Sequence, residues 1–432
     1  MFVAIMGARG RSAVVGPSKP RLLGVLGSGL ISGASDDDPT AIATYSQAGA
    51  KFGYGLLWLS LVCFPIMVVV QEISARVGRT TGQGLAANIR QHYPPWLLNG
   101  CVFLLLAANT IAIEADLGAM ADVVRVVAGG PHLLYVVALG ALCIAMQVFM
   151  RYARYVAILK WTTLTLLVYF AAVLMANVNW DDAASGLLPR PVGTREWVTT
   201  VVAIFGVAIS PYIFFWQSDQ EAEDQRVAPE LKPLVDAPEQ APSALHRTRL
   251  DTLVGMGVAT LVGLAIMLTT SATLHATGKM DIQSSADAAN ALRPVAGRFA
   301  FALFALGILG TGLLAVPVLA GSAAYAIGEA RRWPVGLARQ PLEAKAFYAT
   351  LSAAVVIGGG LNFIGVNPMR ALYWSAVLNC VVAIPALALM VLMAGNRRIM
   401  GEFTVSAALR TVGWLAVGLM ATSVAVMAAT SI

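Results

Sequence analysis

Charge is what this sequence has least of. Of 432 residues only 12% are Asp, Glu, Lys or Arg, roughly half the share found in an ordinary soluble domain. So little charge cannot coat a water-facing surface of this size, which excludes a soluble enzyme, a nucleic-acid binder and a disordered chain together. Cysteine is scarce as well. The 4 Cys (Cys63, Cys101, Cys143 and Cys380) lie in apolar stretches and show no paired spacing. Neither a disulfide framework nor a zinc site is therefore indicated, and each thiol is expected to pack as a small hydrophobe. The 4 His (His92, His132, His246 and His275) fall in loops or at helix ends. An imidazole inside the membrane, the usual proton shuttle or soft-metal ligand, is thus missing.

What remains is apolar: 58% hydrophobic residues and a mean hydropathy of +0.73. The apolar runs are continuous and rich in Leu, Val and Ala, not alternating as in a transmembrane barrel. The chain reads as an all-α polytopic membrane protein. Segments long enough to span fall at 22–50, 54–77, 97–121, 132–150, 154–177, 197–218, 250–275, 299–328, 345–361, 369–394 and 404–430, eleven in all. Residues 1–21 place a short apolar run before their basic residues, the reverse of a signal peptide, and are expected to form a cytoplasmic tail. The net charge of +6 belongs to the loops. With the N-terminus inside, about 19 Lys and Arg lie on inner loops against about 8 on outer ones. An odd number of spans then leaves the C-terminus outside. The longest polar stretch, 219–249, mixes Pro with both signs of charge and is expected to be a partly mobile cytoplasmic loop.

Two spans are interrupted. The first reads RLLGVLGSGLISGAS, then DDDPT, then AIATYSQAGA, and the sixth reads VTTVVAIFGVAI, then SP, then YIFFWQ. Proline removes a backbone donor and crowds the preceding turn, so both helices should break there. The breaks lie five spans apart, as expected for a 5+5 inverted-repeat transporter with 22–177 as first repeat, 197–394 as second and 404–430 as an extra helix. Interrupted helices at matching positions of two halves point to a transporter's midplane site.

The residues at the breaks are oxygen-bearing. Asp36, Asp37 and Asp38 sit mid-membrane, where a charge costs at least about 2.5–3.5 kcal/mol and needs a partner or a function. Ser210 offers a hydroxyl, and Pro211 leaves carbonyls such as those of Val207 and Ile209 without helical donors. In the third span Glu114 and Asp116 are two apart and project to nearly opposite faces, with Asp116, on the face of Asn109, favoured to meet the cavity. Lys160 in the fifth span is expected to snorkel to the inner interface. Ser375 and Asn379, one turn apart, add polar contacts, as ligands or as interhelical glue. Hard oxygen ligands without imidazole or sulfur favour Mg²⁺, Ca²⁺ or Mn²⁺ over later transition metals.

The stretch DDDPTAIATYSQAGAKFGYGLLW, followed by VQEISARVGRTTGQGLAANIRQHYP, resembles the natural resistance-associated macrophage protein (Nramp) family of divalent-metal transporters. The resemblance implies a fold in which helices one and six are discontinuous. The family's Asp-Pro-Gly-Asn reads Asp38-Pro39-Thr40-Ala41 here, so the metal-binding Asp is kept and the metal-binding Asn is replaced by Ala41. The family's Met-Pro-His reads Ser210-Pro211-Tyr212, and Gln217 stands where a second His is usual. The backbone carbonyl contributed by helix six would be that of Val207.

These departures look like the Nramp-related magnesium transporter branch. They imply metal contacts from Asp38, Ser210, Val207 and Thr40, with Asp37 beside them. Ala41, Tyr212, Gln217, Asp116, Glu114 and Asn379 would line the cavity, gate it or carry protons. The resulting expectation is alternating-access import of Mg²⁺, and of Mn²⁺ beside it, without proton coupling. The ion is a cargo, no resident cofactor is called for, and the partners are the metal and the lipid bilayer of the plasma membrane, the inner membrane in a bacterium. The competing readings are a proton-coupled Mn²⁺/Fe²⁺ transporter of the same family and, in a different class, a cation channel or metal sensor. The charge bias makes a direct prediction: a reporter fused to the C-terminus is active only on the outer side, and cytoplasmic activity of that fusion refutes the orientation.

Overall fold

Long apolar runs in lipid must satisfy their own backbone hydrogen bonds, and helices do so within a single segment. The computed structural model describes residues 32, 33, 35–150, 167–228, 230–292, 297 and 300–431, and these contain helices and no strand. Nine stretches among them are long and apolar enough to cross a membrane. They match the second to fourth and the sixth to eleventh of the expected spans. The other two reach into 22–31 and 151–166, outside the described residues, as do Lys160 and the 1–21 tail.

What is described of the first span is α1 (Pro39–Phe52). The chain continues through α2 (Trp58–Thr81), the short α3 (Leu85–His92), α4 (Pro95–Ala128) and α5 (His132–Phe149). Part of the fifth span is α6 (Leu167–Met175), followed by the short α7 (Trp180–Ser185). The sixth span is two helices, α8 (Arg195–Ala208) and α9 (Pro211–Val227). Then come α10 (Ala241–Thr270), the short α11 (Ser285–Ala289), α12 (Ala300–Arg331) and α13 (Lys345–Leu361). The chain closes with α14 (Pro368–Ala394), the short α15 (Arg397–Met400) and α16 (Ala407–Ser431).

Both expected breaks are present. Residues 35 and 36 are helical, 37 and 38 are not, and α1 restarts with Pro39 in its first turn. Asp38 is the N-cap of α1, and its Oδ1 accepts the Ala41 N–H at 2.7 Å, satisfying one of the orphan donors of a helix start. In the sixth span Ile209 and Ser210 lie between α8 and α9, with Pro211 in the first turn of α9. Pro65, Pro317 and Pro385 lie inside helices that continue past them, so proline alone does not break this fold.

One expectation is corrected. The 219–249 stretch is not a loop: α9 continues to Val227 and α10 starts at Ala241, so the connection shrinks to 228–240. The polar residues 219–223 are buried. Glu221 pairs with Arg247 of α10 and Glu223 with Arg226 one turn along α9 instead of facing water, a pairing that composition does not reveal.

The third-span helix α4 is the central post, packed against α12, α13 and α14. The two broken spans meet through α14, which touches both α1 and α8. The outer faces carry exposed Trp96, Phe103, Phe149, Val356 and Leu415, whereas Asp36, Asp37, Asp38 and Asp116 are buried. This inversion of the soluble pattern is what a lipid solvent demands. The extra helix α16 lies on the flank, with 17% of its apolar window buried against 100% for α8–α9. Close approach of α8 to α14 depends on Gly206, where a Cβ would run into the Ala376 carbonyl and lie 2.9 Å from the Cys380 nitrogen. Overpacking of this kind costs about 1–3 kcal/mol. Gly206→Ala should therefore lower the melting temperature of the detergent-solubilised protein by several degrees, and an unchanged melt would show that α8 and α14 are not in such contact.

Candidate functional site

The two breaks are joined by one side chain. The Tyr212 hydroxyl lies 3.0 Å from the Ser35 carbonyl oxygen and 3.0 Å from Asp38 Oδ2. Its single proton serves one acceptor at a time, and a hydrogen bond to the carboxylate is the stronger kind. Asp38 is thereby held from both sides, by the Ala41 N–H on Oδ1 and by Tyr212 on Oδ2. Tyr212 sits in the first turn of α9 because Pro211 starts that helix, so the second break aims this hydroxyl at the first.

The third span supplies a further carboxylate. Thr40 Oγ1 donates to Asp116 Oδ1 at 3.1 Å, while Asp116 Oδ2 is buried with no hydrogen-bond partner among the described residues. Of the two acidic residues, Asp116 is the one hydrogen-bonded to the first broken span. Near Glu114 the α13 end intervenes, where Asn362 Nδ2 donates to the Glu114 backbone carbonyl at 3.0 Å. No hydrogen bond joins the Glu114 side chain to Thr40 or Asp38 among the described residues. Asp36 and Asp37 are buried beside Asp38, and Asp36 Oδ1 has no hydrogen-bond partner among the described residues. None of Asp36, Asp37, Asp38 and Asp116 has an ion pair among the described residues.

The second break is less open than expected. Ser210 Oγ donates to the Gly206 carbonyl at 2.7 Å and lies 3.1 Å from that of Val207. The hydroxyl thus replaces donors that the broken helix lost, and the Val207 oxygen keeps only part of its accepting capacity for anything else. Asn379 lies on α14 within the turn that Gly206 packs against, and its Oδ1 and the Ser375 Oγ are buried without hydrogen-bond partners among the described residues. Ala41 is buried in the first turn of α1 and brings no polar atom. Gln217 is buried deeper along α9, where its Oε1 accepts Ser32 Oγ at 2.6 Å, tying the first span to α9. The four thiols are buried and free.

The ends of the bundle differ. At the end carrying residues 276–292 a cavity of about 530 Å³ opens between α1, α8 and α14, reaching down to Ala43. Ala43 is five residues above Asp38, or about 7–8 Å of helical rise. Its mouth holds Lys51, Arg195 and Arg370 against Glu196 and Asp281, so it offers no net negative field. Lys51 pairs with Glu196 at 4.0 Å. Asp281 is held below the usual carboxylate range by hydrogen bonds from the Gln283 and Gln47 amides, assisted by Lys51 and Arg370. Gln47 also accepts the Ile282 N–H at 3.1 Å, which straps the 276–292 segment to α1.

The opposite end is crossed by hydrogen bonds and ion pairs among the described residues. Ser74 Oγ donates to the Phe214 carbonyl. Arg247 pairs with Glu221 at 3.0 Å and Arg226 with Glu223 at 3.3 Å, and Arg79 donates to the Lys232 carbonyl and the Gln240 amide. Of these, Glu221, Glu223, Arg226, Lys232, Gln240 and Arg247 fall in the 219–249 stretch that the sequence presents as a loop. The Glu-x-x-Arg spacing of Glu223 and Arg226, one helical turn, was the available signal.

Three comparisons bear on this arrangement. A family profile described as "Natural resistance-associated macrophage protein-like" (Nramp) matches residues 29–430. The chain is 27% identical to the divalent metal cation transporter MntH of Aeromonas hydrophila, over 94% of this chain and 95% of that one. It is 25% identical to the protein of the same name from Deinococcus radiodurans, over 94% and 91%. Among solved structures, the Eremococcus coleocola manganese transporter superposes with a TM-score of 0.73 at 16% identity, covering 93% of this chain and 85% of that one. That last likeness concerns the fold alone.

If Tyr212 positions Asp38, its removal weakens metal capture. Losing a hydrogen bond to a charged group costs about 1.5–3 kcal/mol, so Tyr212→Phe should raise the metal concentration for half-maximal uptake by roughly tenfold or more. An unchanged half-saturation with normal expression would show that Tyr212 does not hold the carboxylate.

Proposed function

The chain belongs to the Nramp family of divalent metal cation transporters, and from that premise we propose that it imports Mg²⁺, and Mn²⁺ beside it, by alternating access without proton coupling. It is a transporter and not an enzyme. The observation that carries the reading is the set of four buried carboxylates, Asp36, Asp37, Asp38 and Asp116, without an ion-pair partner among the described residues. Buried charges are paired or hold metals, and a divalent cation at the breaks supplies the missing positive charge.

In this reading Asp38 is the principal ligand. Thr40, Ser210 and the Val207 carbonyl stand at the site edge, Asp37 lies beside it, and Asn379 faces in from α14. Asp116 acts through Thr40. The break residues themselves carry no sulfur or imidazole: Ser210 occupies the place of the family's Met, Tyr212 and Gln217 those of its His residues, and Ala41 that of its Asn. Few side-chain ligands leave the ion part of its water, which suits Mg²⁺ because it dehydrates reluctantly. Without histidines along α9 a proton has no imidazole relay, so the inside-negative potential drives uptake. That potential supplies about 2.3 kcal/mol per charge per 100 mV, or about twice that for a divalent ion.

The positive-inside bias puts the 228–240 end in the cytoplasm and the 276–292 end outside, in the plasma membrane. The open cavity then faces outward and the ion-paired end closes the way in. One end crossed by ion pairs supports alternating access over a channel. Proton-coupled transport of Mn²⁺ or Fe²⁺ is the second reading, and the unpartnered Asp116 Oδ2 favours it, since an isolated carboxylate near the site is a potential proton carrier.

The test is uptake into proteoliposomes at a set potential, with a magnesium-sensitive dye and a pH-sensitive dye inside. Saturable Mg²⁺ uptake without acidification is expected, falling to the level of protein-free liposomes in Asp38→Asn. Mn²⁺ uptake with acidification and no Mg²⁺ response would overturn the proposal in favour of the proton-coupled reading.

A further inference from the structure

A second carboxylate pair lies at the ion-paired end, on the helix that leads away from the breaks. Asp219 is on α9, seven residues beyond Tyr212, or about 10 Å of helical rise. It is 1% exposed, and neither of its oxygens has a hydrogen-bond partner among the described residues. Opposite stands Glu329 near the end of α12, 5% exposed. The two meet over Gly84: a Cβ there would collide with Asp219 Oδ1 and lie 2.5 and 2.6 Å from the two Glu329 oxygens. Three carboxylate oxygens therefore crowd the space that only a glycine leaves free.

The two carboxylates are not equivalent. Glu329 is well supplied, accepting the Gly84 N–H at 3.0 Å and the Ala87 N–H at 2.9 Å, so that it caps α3 from across the bundle. Arg226 lies 3.7 Å from Glu329 but is shared with Glu223 at 3.3 Å. Glu223 has its own further donor, the Ala338 N–H at 2.9 Å. Arg90 donates to the Glu329 backbone carbonyl and not to its carboxylate. Arg226 is common to Asp219, Glu223 and Glu329, while Arg339 also acts on Glu223 and Arg90 on Glu329, so Asp219 alone has no guanidinium besides the shared one among the described residues. Asp219 is the group left over, in a place where a buried charge is stable only when paired or bound to metal.

We propose that Asp219 and Glu329 form a second divalent-cation station, which receives the ion after it leaves the central breaks and before it is released past the ion-paired end. Two carboxylates and the ion's own water suffice for a hard cation such as Mg²⁺ or Mn²⁺. The central site lies at the breaks and this one beyond them on α9, so an ion passing along that helix exchanges one set of carboxylate oxygens for another. The inference rests on the reading of the chain as a divalent-cation carrier, and its test separates the two.

The experiment counts Mn²⁺ bound per full-length chain in detergent by equilibrium dialysis, with metal-free melting temperatures to check folding. Two Mn²⁺ are expected for the wild type, one for Asp38→Asn, one for Asp219→Asn and none for the double variant. Glu329→Gln, which keeps an acceptor for the α3 cap, should match Asp219→Asn and serves if that variant misfolds. The metal-free melting temperature of Asp219→Asn should equal or exceed that of the wild type, because an unpartnered buried charge has been removed. If Asp38→Asn binds no Mn²⁺, or if its remaining ion survives Asp219→Asn, the second station is overturned and the pair holds a shared proton instead. If Asp38→Asn keeps both ions while Asp219→Asn loses one, the second station stands and the assignment of Asp38 as the central ligand fails.

Discussion

Four carboxylates with no ion-pair partner among the described residues, buried in the middle of a bundle that lipid surrounds, are the constraint around which the rest is arranged. Each charge at that depth costs at least about 2.5–3.5 kcal/mol even on the most lenient scales, so the surrounding backbone must offer what water would have. The proline at each break does this. Pro39 starts α1 so that Asp38 receives the Ala41 N–H, and Pro211 starts α9 so that Tyr212 reaches back to Asp38. Helix starts are where a membrane protein has free N–H groups to spend on an anion. One such N–H, from Ala41, and the Tyr212 hydroxyl converge on Asp38 and orient it without neutralising it, which leaves the charge for a cation.

The asymmetry of the two ends follows from a different balance. At the open end a strap of hydrogen bonds through Gln47 and Asp281 holds the 276–292 segment to α1, and Asp122 is tied to Ser285 at 2.6 Å. These contacts are hydrogen bonds without a guanidinium–carboxylate pair among them. At the opposite end, guanidinium–carboxylate pairs and cross-helix caps join α2, α3, α9, α10 and α12. Buried pairs of this type are costly to split one partner at a time, but they can exchange partners as a group. Such a network is suited to a seal that opens as a unit, as alternating access requires.

How far the sequence could be followed depended on the kind of interaction. Break positions were legible because Pro39 and Pro211 coincide with mid-span polar residues, Asp36 to Asp38 and Ser210, whereas Pro65, Pro317 and Pro385 stand in apolar runs that stay helical. Asp116 was separable from Glu114 because helical geometry alone sets their faces. The 219–249 stretch misled for the complementary reason. Its charges look solvated when taken one by one, and only the partners brought by α2, α10 and α12 turn residues 219–223 into core. At Ser210 the structure adds a partner that the sequence does not show: its hydroxyl donates to the Gly206 carbonyl of its own span, which leaves the oxygen lone pairs free.

The sequence by itself therefore determined the solvent, the spans, the two interruptions and the hard-oxygen chemistry at them. Each of these follows from local terms: hydropathy over about 20 residues, the covalent ring of proline, and the donor types a segment carries. Only the tertiary structure decided which oxygens meet. It chose Tyr212 as the bridge to Asp38, set Thr40 between α1 and Asp116, opened one end and crossed the other with ion pairs, and brought Asp219 to Glu329 over Gly84. Those outcomes depend on how helices distant in sequence are packed, and packing is fixed by the close approach of surfaces such as Gly206 on α14, which no single segment encodes.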